Sequence, residues 1–206
     1  MQKNKRWLFF ILLILSPGLW WPLLNIKGIF SELRNIPLYG QNKINTIFGE
    51  ERIRNVGAMR WANRDLEKEQ VIYSKLFYNK VSILVDEFFS FLSLFSPRYY
   101  FQSGDGSGFS PSNVEPVPIL LFPFWLIGLL MLVTKKQNKV VLLYIVTAFV
   151  IFMTGKMELP YVWPILIFNV YFGYFALKNM KYSSKALTIA VIIIYALYIN
   201  FRLIVL

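Results

Sequence analysis

The chain contains neither cysteine nor histidine, and few of its residues are charged. Of its 206 residues, 16% are charged, whereas 56% are hydrophobic and 18% are aromatic. The lack of cysteine excludes disulfides and thiolate metal sites, and the lack of histidine removes the commonest general base. Acid–base chemistry therefore falls to the eleven carboxylates, the lysines and the tyrosines. With a mean hydropathy of +0.50, the composition predicts a membrane protein, and we expect no cofactor and no metal.

The net charge of +11 would suggest nucleic-acid binding in a soluble domain. Here the lysines flank apolar segments, which is the pattern that the positive-inside rule describes for membrane proteins. We therefore predict the lipid bilayer as the partner of the basic residues, and no nucleic acid.

Five apolar segments are long enough, or nearly long enough, for the about 20 residues that a transmembrane helix needs. They cover residues 7–24, 118–134, 140–155, 159–177 and 186–206 of a single membrane domain, 1–206. The first segment also resembles a secretory signal peptide, but its apolar stretch exceeds the roughly 7–15 residues of such a signal and no cleavage site follows. We interpret it as an anchor, kinked at Pro17-Gly18 and Pro22.

Charge predicts the orientation of these spans. The amino terminus and the connections at 135–139 and 178–185 carry three basic residues each and no carboxylate. All eleven carboxylates lie in residues 25–117 or in the turn before the fourth span. Because basic short loops stay in the cytoplasm, we predict a cytoplasmic amino terminus, an extracytoplasmic segment 25–117 and an outside carboxyl terminus. The predicted location is the plasma membrane.

Residues 74–95 of the long segment have the period of an amphipathic helix. Its predicted apolar stripe consists of Phe77, Val81, Leu84, Val85, Phe88, Leu92 and Phe95. Two interpretations stay open: a helix in the outer membrane interface, or a helix packed on the protein's own spans. The predicted fold class is all-α integral membrane, with about five transmembrane helices and an outer amphipathic interfacial helix.

Two acidic pairs, Glu50-Glu51 and Asp86-Glu87, raise the question of paired-carboxylate catalysis. Adjacent residues do not share a helix face, so we predict solvated charges at both pairs.

The segment "FSPRYYFQSGDG", followed by a small-residue loop and the span "PILLFPFWLIGLL", carries a resemblance to a known family. It resembles the carboxyl-terminal portion of GT-C membrane glycosyltransferases of the protein mannosyltransferase and aminoarabinose-transferase-like group. As a motif, the resemblance covers residues 75–128. The matching positions are Phe95, Ser96, Pro97, Tyr100, Phe101, Gly104 and Asp105, then Leu126, Gly128 and Leu129.

This resemblance implies a glycosyltransferase-like module that acts with a polyprenyl-phosphate sugar. The family carries its catalytic Asp in the outer loop after its first span, where this chain has only Glu32 as an acidic residue. The resemblance therefore implies that the catalytic base is missing and that a membrane partner chain supplies the catalytic half. The alternative is a non-enzymatic membrane accessory or assembly protein.

No residue is predicted as catalytic or metal-ligating. Ser96-Pro97 ends the helix, and the following aromatic rings suit a membrane interface. Gly104-Asp105-Gly106 permits a tight turn. Hydroxyl and amide groups beside aromatic rings suit a saccharide or a phosphate headgroup, yet the same residues also describe a purely structural turn. The candidate substrate-binding residues are Asn79, Lys80, Ser96, Tyr99, Tyr100, Gly104 and Asp105.

Overall fold

The computed structural model describes residues 6–62, 80–103, 105–110, 114–180 and 182–205. Every regular element among these residues is helical, which confirms the predicted all-α class. Short 3₁₀ turns at Trp21–Asn25 and Ile119–Leu121 and a π turn at Tyr99–Ser103 accompany the α-helices. The α-helices are α1 (Arg6–Ile14), α2 (Pro17–Trp20), α3 (Ile26–Arg34), α4 (Ile36–Phe48), α5 (Glu50–Ala62), α6 (Lys80–Ser93), α7 (Phe122–Thr134), α8 (Asn138–Met153), α9 (Leu159–Asn179) and α10 (Tyr182–Val205).

Two of these helices have the length and apolar composition of a membrane span. They are α9 and the Lys185–Val205 part of α10, with 21 residues each. Helix α1 and the helical stretch Pro17–Arg34 make a third candidate if they are counted as one span bent by 75°. Helices α7 and α8 are apolar but shorter. The structure is therefore that of a helical protein with apolar segments suited to a membrane.

Helix α9 forms the centre of the bundle and packs against α1, α2, α7 and α8. Its closest neighbour is α7, because Gly128 lies directly against the backbone of Phe172 and leaves no room for a Cβ atom. A second glycine, Gly173, lies against the side chain of Leu121. Small residues allow such close approach of two backbones, which is how helices commonly associate where lipid rather than water surrounds them.

A polar contact joins three helices inside this bundle. Asn169 of α9 is fully buried, and its Oδ1 accepts hydrogen bonds from Trp125 Nε1 of α7 at 2.8 Å and from the Tyr144 hydroxyl of α8 at 3.2 Å. The Asn169 Nδ2 has no hydrogen-bond partner. In lipid, hydrophobic burial does not drive helices to associate, so interhelical hydrogen bonds of this kind help to hold apolar helices together.

The first apolar segment breaks between α1 and α2, as its Pro17-Gly18 step predicts. The Gly18 amide donates to the Pro116 carbonyl at 2.8 Å, and the Gly18 carbonyl accepts from Trp163 Nε1 at 2.8 Å. Ser16 Oγ donates to the Leu12 carbonyl at 2.7 Å. Backbone groups that leave the helical ladder at this break are therefore bonded by other parts of the chain.

The helix predicted over 74–95 is present as α6, and the part before residue 80 lies outside the described residues. The described members of the predicted stripe on α6 (Val81, Leu84, Val85, Phe88 and Leu92) are 40–59% exposed. A different face packs on the protein, with Ile83 buried and Phe91 against Phe149 and Phe152. The helix therefore does pack on α8, as one of the two interpretations has it, but mainly through the face of Ile83 and Phe91. Of the predicted stripe, Phe95 packs against Tyr144, and the members on α6 remain exposed.

Candidate functional site

The predicted site begins where α6 ends. The structure places Ser96 half-buried in the turn after α6, with its carbonyl accepting from the Tyr99 amide at 3.2 Å. Helix α6 stops at Ser93, as the Ser96-Pro97 step predicts. Asn79 and Gly104 lie outside the described residues. Lys80 is the first residue of α6, and its side chain also lies outside them.

Tyr100 is an internal residue and does not face a ligand surface. It is 1% exposed, its hydroxyl donates to the Leu94 carbonyl at 2.6 Å, and its own carbonyl accepts from the Val117 amide at 2.9 Å. Tyr100 therefore ties the end of α6 to the segment that leads into α7.

Asp105 organises its own turn and the start of α9 at the same time. Its Oδ1 accepts from the Ser107 amide at 2.9 Å and from Ser107 Oγ at 2.8 Å. Its Oδ2 accepts from the Leu159 amide, the first of α9. The side chain of Glu158, which holds the N-cap position, makes no capping bond. Asp105 therefore satisfies a free amide at the amino end of α9, where a negative charge is also favourable.

Tyr99 completes this contact between the turn and α9. Its hydroxyl donates to the Met157 carbonyl and lies 3.3 Å from Asp105 Oδ2. Burial, together with the nearby Asp105 carboxylate, raises the pKa of Tyr99 well above its ordinary value of 10.0. Tyr99 therefore remains protonated and acts as a hydrogen-bond donor at physiological pH.

A second polar group, which the sequence analysis did not identify, lies beside the same end of α9. We call it the Glu32 cluster, and it consists of Glu32, Tyr39, Lys156, Glu158 and Tyr161. Glu32 Oε2 accepts from the Tyr39 and Tyr161 hydroxyls, each at 3.0 Å. Lys156 Nζ lies 4.7 Å from the centre of the Tyr39 ring and 3.2 Å from Glu158 Oε1. The hydrogen bond to Glu158 raises the pKa of Lys156 and keeps its charge.

Glu87 forms ion pairs with Lys43 of α4 and Arg52 of α5. The sequence predicts a solvated charge at this position. Its side chain is 13% exposed and lies 2.6 Å from both Lys43 Nζ and Arg52 Nη1. Burial alone would raise the pKa of Glu87, but the hydrogen bonds from Lys43 and Arg52 outweigh it and hold the pKa below 4.5. The prediction failed because α4 and α5 fold back onto α6. Asp86, by contrast, is 70% exposed.

An apolar groove lies where the first segment breaks. It has a volume of about 310 Å³ and is lined by Leu13, Ile14, Leu19, Trp20, Trp163 and Ile167. Both indole N–H groups point away into the protein, to Asn200 Oδ1 at 2.9 Å and to the Gly18 carbonyl at 2.8 Å. Only apolar surface therefore lines the groove, which suits a hydrocarbon chain and not a polar ligand.

No group of three acidic side chains suited to a metal ion occurs among the described residues. Comparison of the chain with protein-family models, with curated proteins and with solved structures gives no match.

Proposed function

We propose that the chain is a plasma-membrane protein with five spans, a cytoplasmic amino terminus and residues 25–117 outside. The nine basic residues of the three predicted cytoplasmic segments support this topology. At 1.5 Å per residue, the 16 residues of α8 extend about 24 Å, somewhat less than the about 30 Å hydrocarbon layer. Lys135, Lys136 and Lys139 flank α7 and α8 and can extend to the headgroups, which accommodates short spans.

Cysteine labelling tests this topology, since the chain has no native cysteine. A Gly108→Cys variant is suitable because nothing lies within 4 Å of a Cβ at that position, and Gln137→Cys probes the predicted cytoplasmic connection. We expect a membrane-impermeant maleimide to label Gly108→Cys in intact cells and Gln137→Cys only after permeabilisation. The reverse pattern would contradict the topology.

Within this topology, we propose a glycosyltransferase-like module that holds a lipid-phosphate-linked sugar while another membrane chain supplies the catalytic half. One observation carries the proposal: the Glu32 cluster and the apolar groove meet the same end of α9, through Tyr161 and Trp163. In this proposal Lys156 donates to the phosphate, the carboxylates of Glu32 and Glu158 accept from sugar hydroxyls, and the apolar groove at the same end of α9 takes the hydrocarbon tail. Lys156 has three N–H donors, of which Glu158 uses one.

Native mass spectrometry of the detergent-solubilised chain with a polyprenyl-phosphate hexose tests this binding. We expect Lys156→Gln to weaken binding about tenfold, which corresponds to about 1.4 kcal/mol. Lys136→Gln, at the other end of the bundle, should leave binding unchanged. Equal binding of the phosphate-free polyprenol, or equal loss in both variants, would contradict the proposed headgroup site.

A transfer assay tests whether the catalytic half is missing. The isolated chain should show no sugar transfer, because general-base catalysis needs a carboxylate in hydrogen-bond reach of the acceptor. The carboxylates at this end of α9 are engaged: Asp105 with Ser107 and Leu159, Glu32 with Tyr39 and Tyr161, and Glu158 with Lys156. Turnover by the isolated chain that Asp105→Ala abolishes would show that it is a small enzyme in its own right.

The alternative function, a non-enzymatic membrane accessory or assembly protein, also has an observation in its favour. The polar atoms of Tyr99, Tyr100 and Asp105 all bond to backbone groups of the same chain. Such contacts explain the motif residues through their role in folding, without any ligand. Absence of any polyprenyl-phosphate hexose binding would favour this accessory role.

A further inference from the structure

A polar groove lies between α4 and α5, and none of its lining residues belongs to the Glu32 cluster or to the predicted site. The two helices meet at Gly49, whose backbone is extended. The groove has a volume of about 410 Å³, which lies within the range of about 300–1,000 Å³ for small-molecule sites. Besides Gly49, its lining consists of Asn42, Asn45, Thr46, Glu51, Arg52 and Asn55.

The lining decides which chemical class fits this groove. Its side chains are all polar or charged, and their carbon atoms form much of the lining surface, so the groove offers hydrogen-bonding groups together with the C–H contacts that a sugar ring can use. The one basic side chain, Arg52, is already paired with Glu87 at 2.6 Å and with Asp86 at 3.7 Å. Two carboxylates therefore offset its charge, and Glu51 adds a further negative group to the lining, which makes the groove unfavourable for an anion.

The asparagines supply the remaining hydrogen-bonding capacity. Among the residues that the structure describes, the carboxamides of Asn42, Asn45 and Asn55 make no side-chain hydrogen bond. A carboxamide both donates and accepts, and a sugar hydroxyl does the same. Three carboxamides around one groove therefore match a neutral ligand that carries several hydroxyl groups, whereas the Thr46 hydroxyl already donates to the Asn42 carbonyl at 2.8 Å and can only accept.

The groove is also held in shape by a contact outside it. Glu87 of α6 binds Lys43 of α4 and Arg52 of α5, each at 2.6 Å. Lys43 lies in addition over the Phe152 ring of α8, at 4.5 Å from its centre. One half-buried carboxylate thus connects both walls to α6, and a wall that is fixed before binding loses less conformational freedom on binding.

We propose that this groove binds a neutral saccharide through its asparagine carboxamides. The site has its own lining residues: it shares only helix α4 with the Glu32 cluster, through Tyr39, and none of its lining residues belongs to the apolar groove. A water-soluble sugar without a lipid tail therefore tests the groove alone, so that either proposal can fail without the other.

Saturation-transfer-difference NMR on the full chain in nanodiscs gives the test, with lactose, maltose and N,N′-diacetylchitobiose as probes. We expect saturation transfer to at least one of these disaccharides. Asn45→Leu and Asn55→Leu should each weaken its binding about fivefold, equivalent to about 1 kcal/mol. Gln41→Leu, an exposed position of α4 outside the groove, is the matched control and should have no effect.

Three results would overturn the proposal. The first is the absence of saturation transfer to all three disaccharides. The second is equal binding by the Asn45→Leu, Asn55→Leu and Gln41→Leu chains. The third is displacement of the bound sugar by inorganic phosphate, which would make the groove an anion site.

Asn55→Asp keeps the size of the side chain, so it replaces Asn55→Leu if that variant does not fold. It should weaken binding because it loses the two amide donors.

Discussion

Helices α9 and α10 have the same suitability for spanning a membrane but opposite surroundings. The apolar window of α9 has a mean hydropathy of 1.3 and is 72% buried, whereas that of α10 has a mean hydropathy of 2.1 and is 17% buried. In water the more apolar helix would be the more buried one. The reversed order is what a bilayer produces, because lipid tails solvate the most apolar surface and the interior keeps the polar groups.

The residues of the two helices show how this difference arises. Helix α9 contains Asn169 and Gly173, which contact other parts of the bundle and would be poor lipid-facing residues. Helix α10 presents Leu187, Ile194 and Ile204 with 66–78% of their surface exposed. Burial in this protein therefore follows packing geometry and hydrogen bonding more than hydrophobicity.

Gly128→Leu should cause the largest loss of stability, because it removes the packing of α7 on α9. A side chain at Gly128 overlaps the Phe172 carbonyl, and backbone cannot move aside cheaply, so we expect about 3 kcal/mol or more of destabilisation. Ala190→Leu adds bulk at an exposed position of α10 and is the control. Thermal unfolding in detergent measures both, and equal melting temperatures would contradict the close packing.

A matched pair of isoleucines tests burial directly. Ile165 of α9 is 0% exposed and Ile194 of α10 is 66% exposed. We expect Ile165→Ala to cost about 2 kcal/mol through the cavity that it leaves, and Ile194→Ala to cost less than about 0.5 kcal/mol. Chemical denaturation in mixed micelles gives both values. Similar costs would mean that α10 is packed as tightly as α9, against a partner or a second copy.

The smallest expected difference in stability is between substitutions of two asparagines, Asn169 of α9 and Asn200 of α10. Asn169→Leu leaves Trp125 and Tyr144 without their acceptor, and we expect a cost of about 1–2 kcal/mol. The same change also removes the Asn169 Nδ2, which has no hydrogen-bond partner, and this reduces the net loss of stability. Asn200 of α10 is half-buried and accepts from Trp20. Asn200 also donates to the Leu15 carbonyl at 2.9 Å, but its partners are half-buried, so we expect Asn200→Leu to cost less, about 0.5–1 kcal/mol. A lower melting temperature for Asn200→Leu than for Asn169→Leu would contradict this order.

Local features of the fold could be predicted from the sequence. The break at Pro17-Gly18 and the end of α6 before Ser96-Pro97 follow from the fixed backbone of proline, and both are present. The orientation of α6 could not be predicted, because several of its faces are apolar. Contacts with Phe149 and Phe152, about 60 residues further on, decide which face is buried.

The candidate site likewise has local features that the sequence predicts and long-range contacts that it does not. The turn at Asp105 has a local signal, but its bond to the Leu159 amide joins residues 54 positions apart. The Glu32 cluster depends on Tyr161, which is 129 positions from Glu32. Periodicity and turn chemistry describe neighbours along the chain, and they contain no information on which distant groups meet. Glu87 was predicted as solvated for the same reason.

The break between α1 and α2 has a consequence for the order of events during biosynthesis. The amide and carbonyl of Gly18 bond to Pro116 and Trp163, which the ribosome adds about 100 and 145 residues later. Until then the broken conformation leaves these two groups without partners, at a cost of several kcal/mol in lipid. We therefore expect the nascent first segment to have only the modest kink that Pro17 imposes and to adopt the full 75° bend only after α9 is made. In ribosome-bound chains truncated before Trp163, paired spin labels on α1 and α3 should report the longer distance of the less bent segment; the fully bent distance there would refute this order.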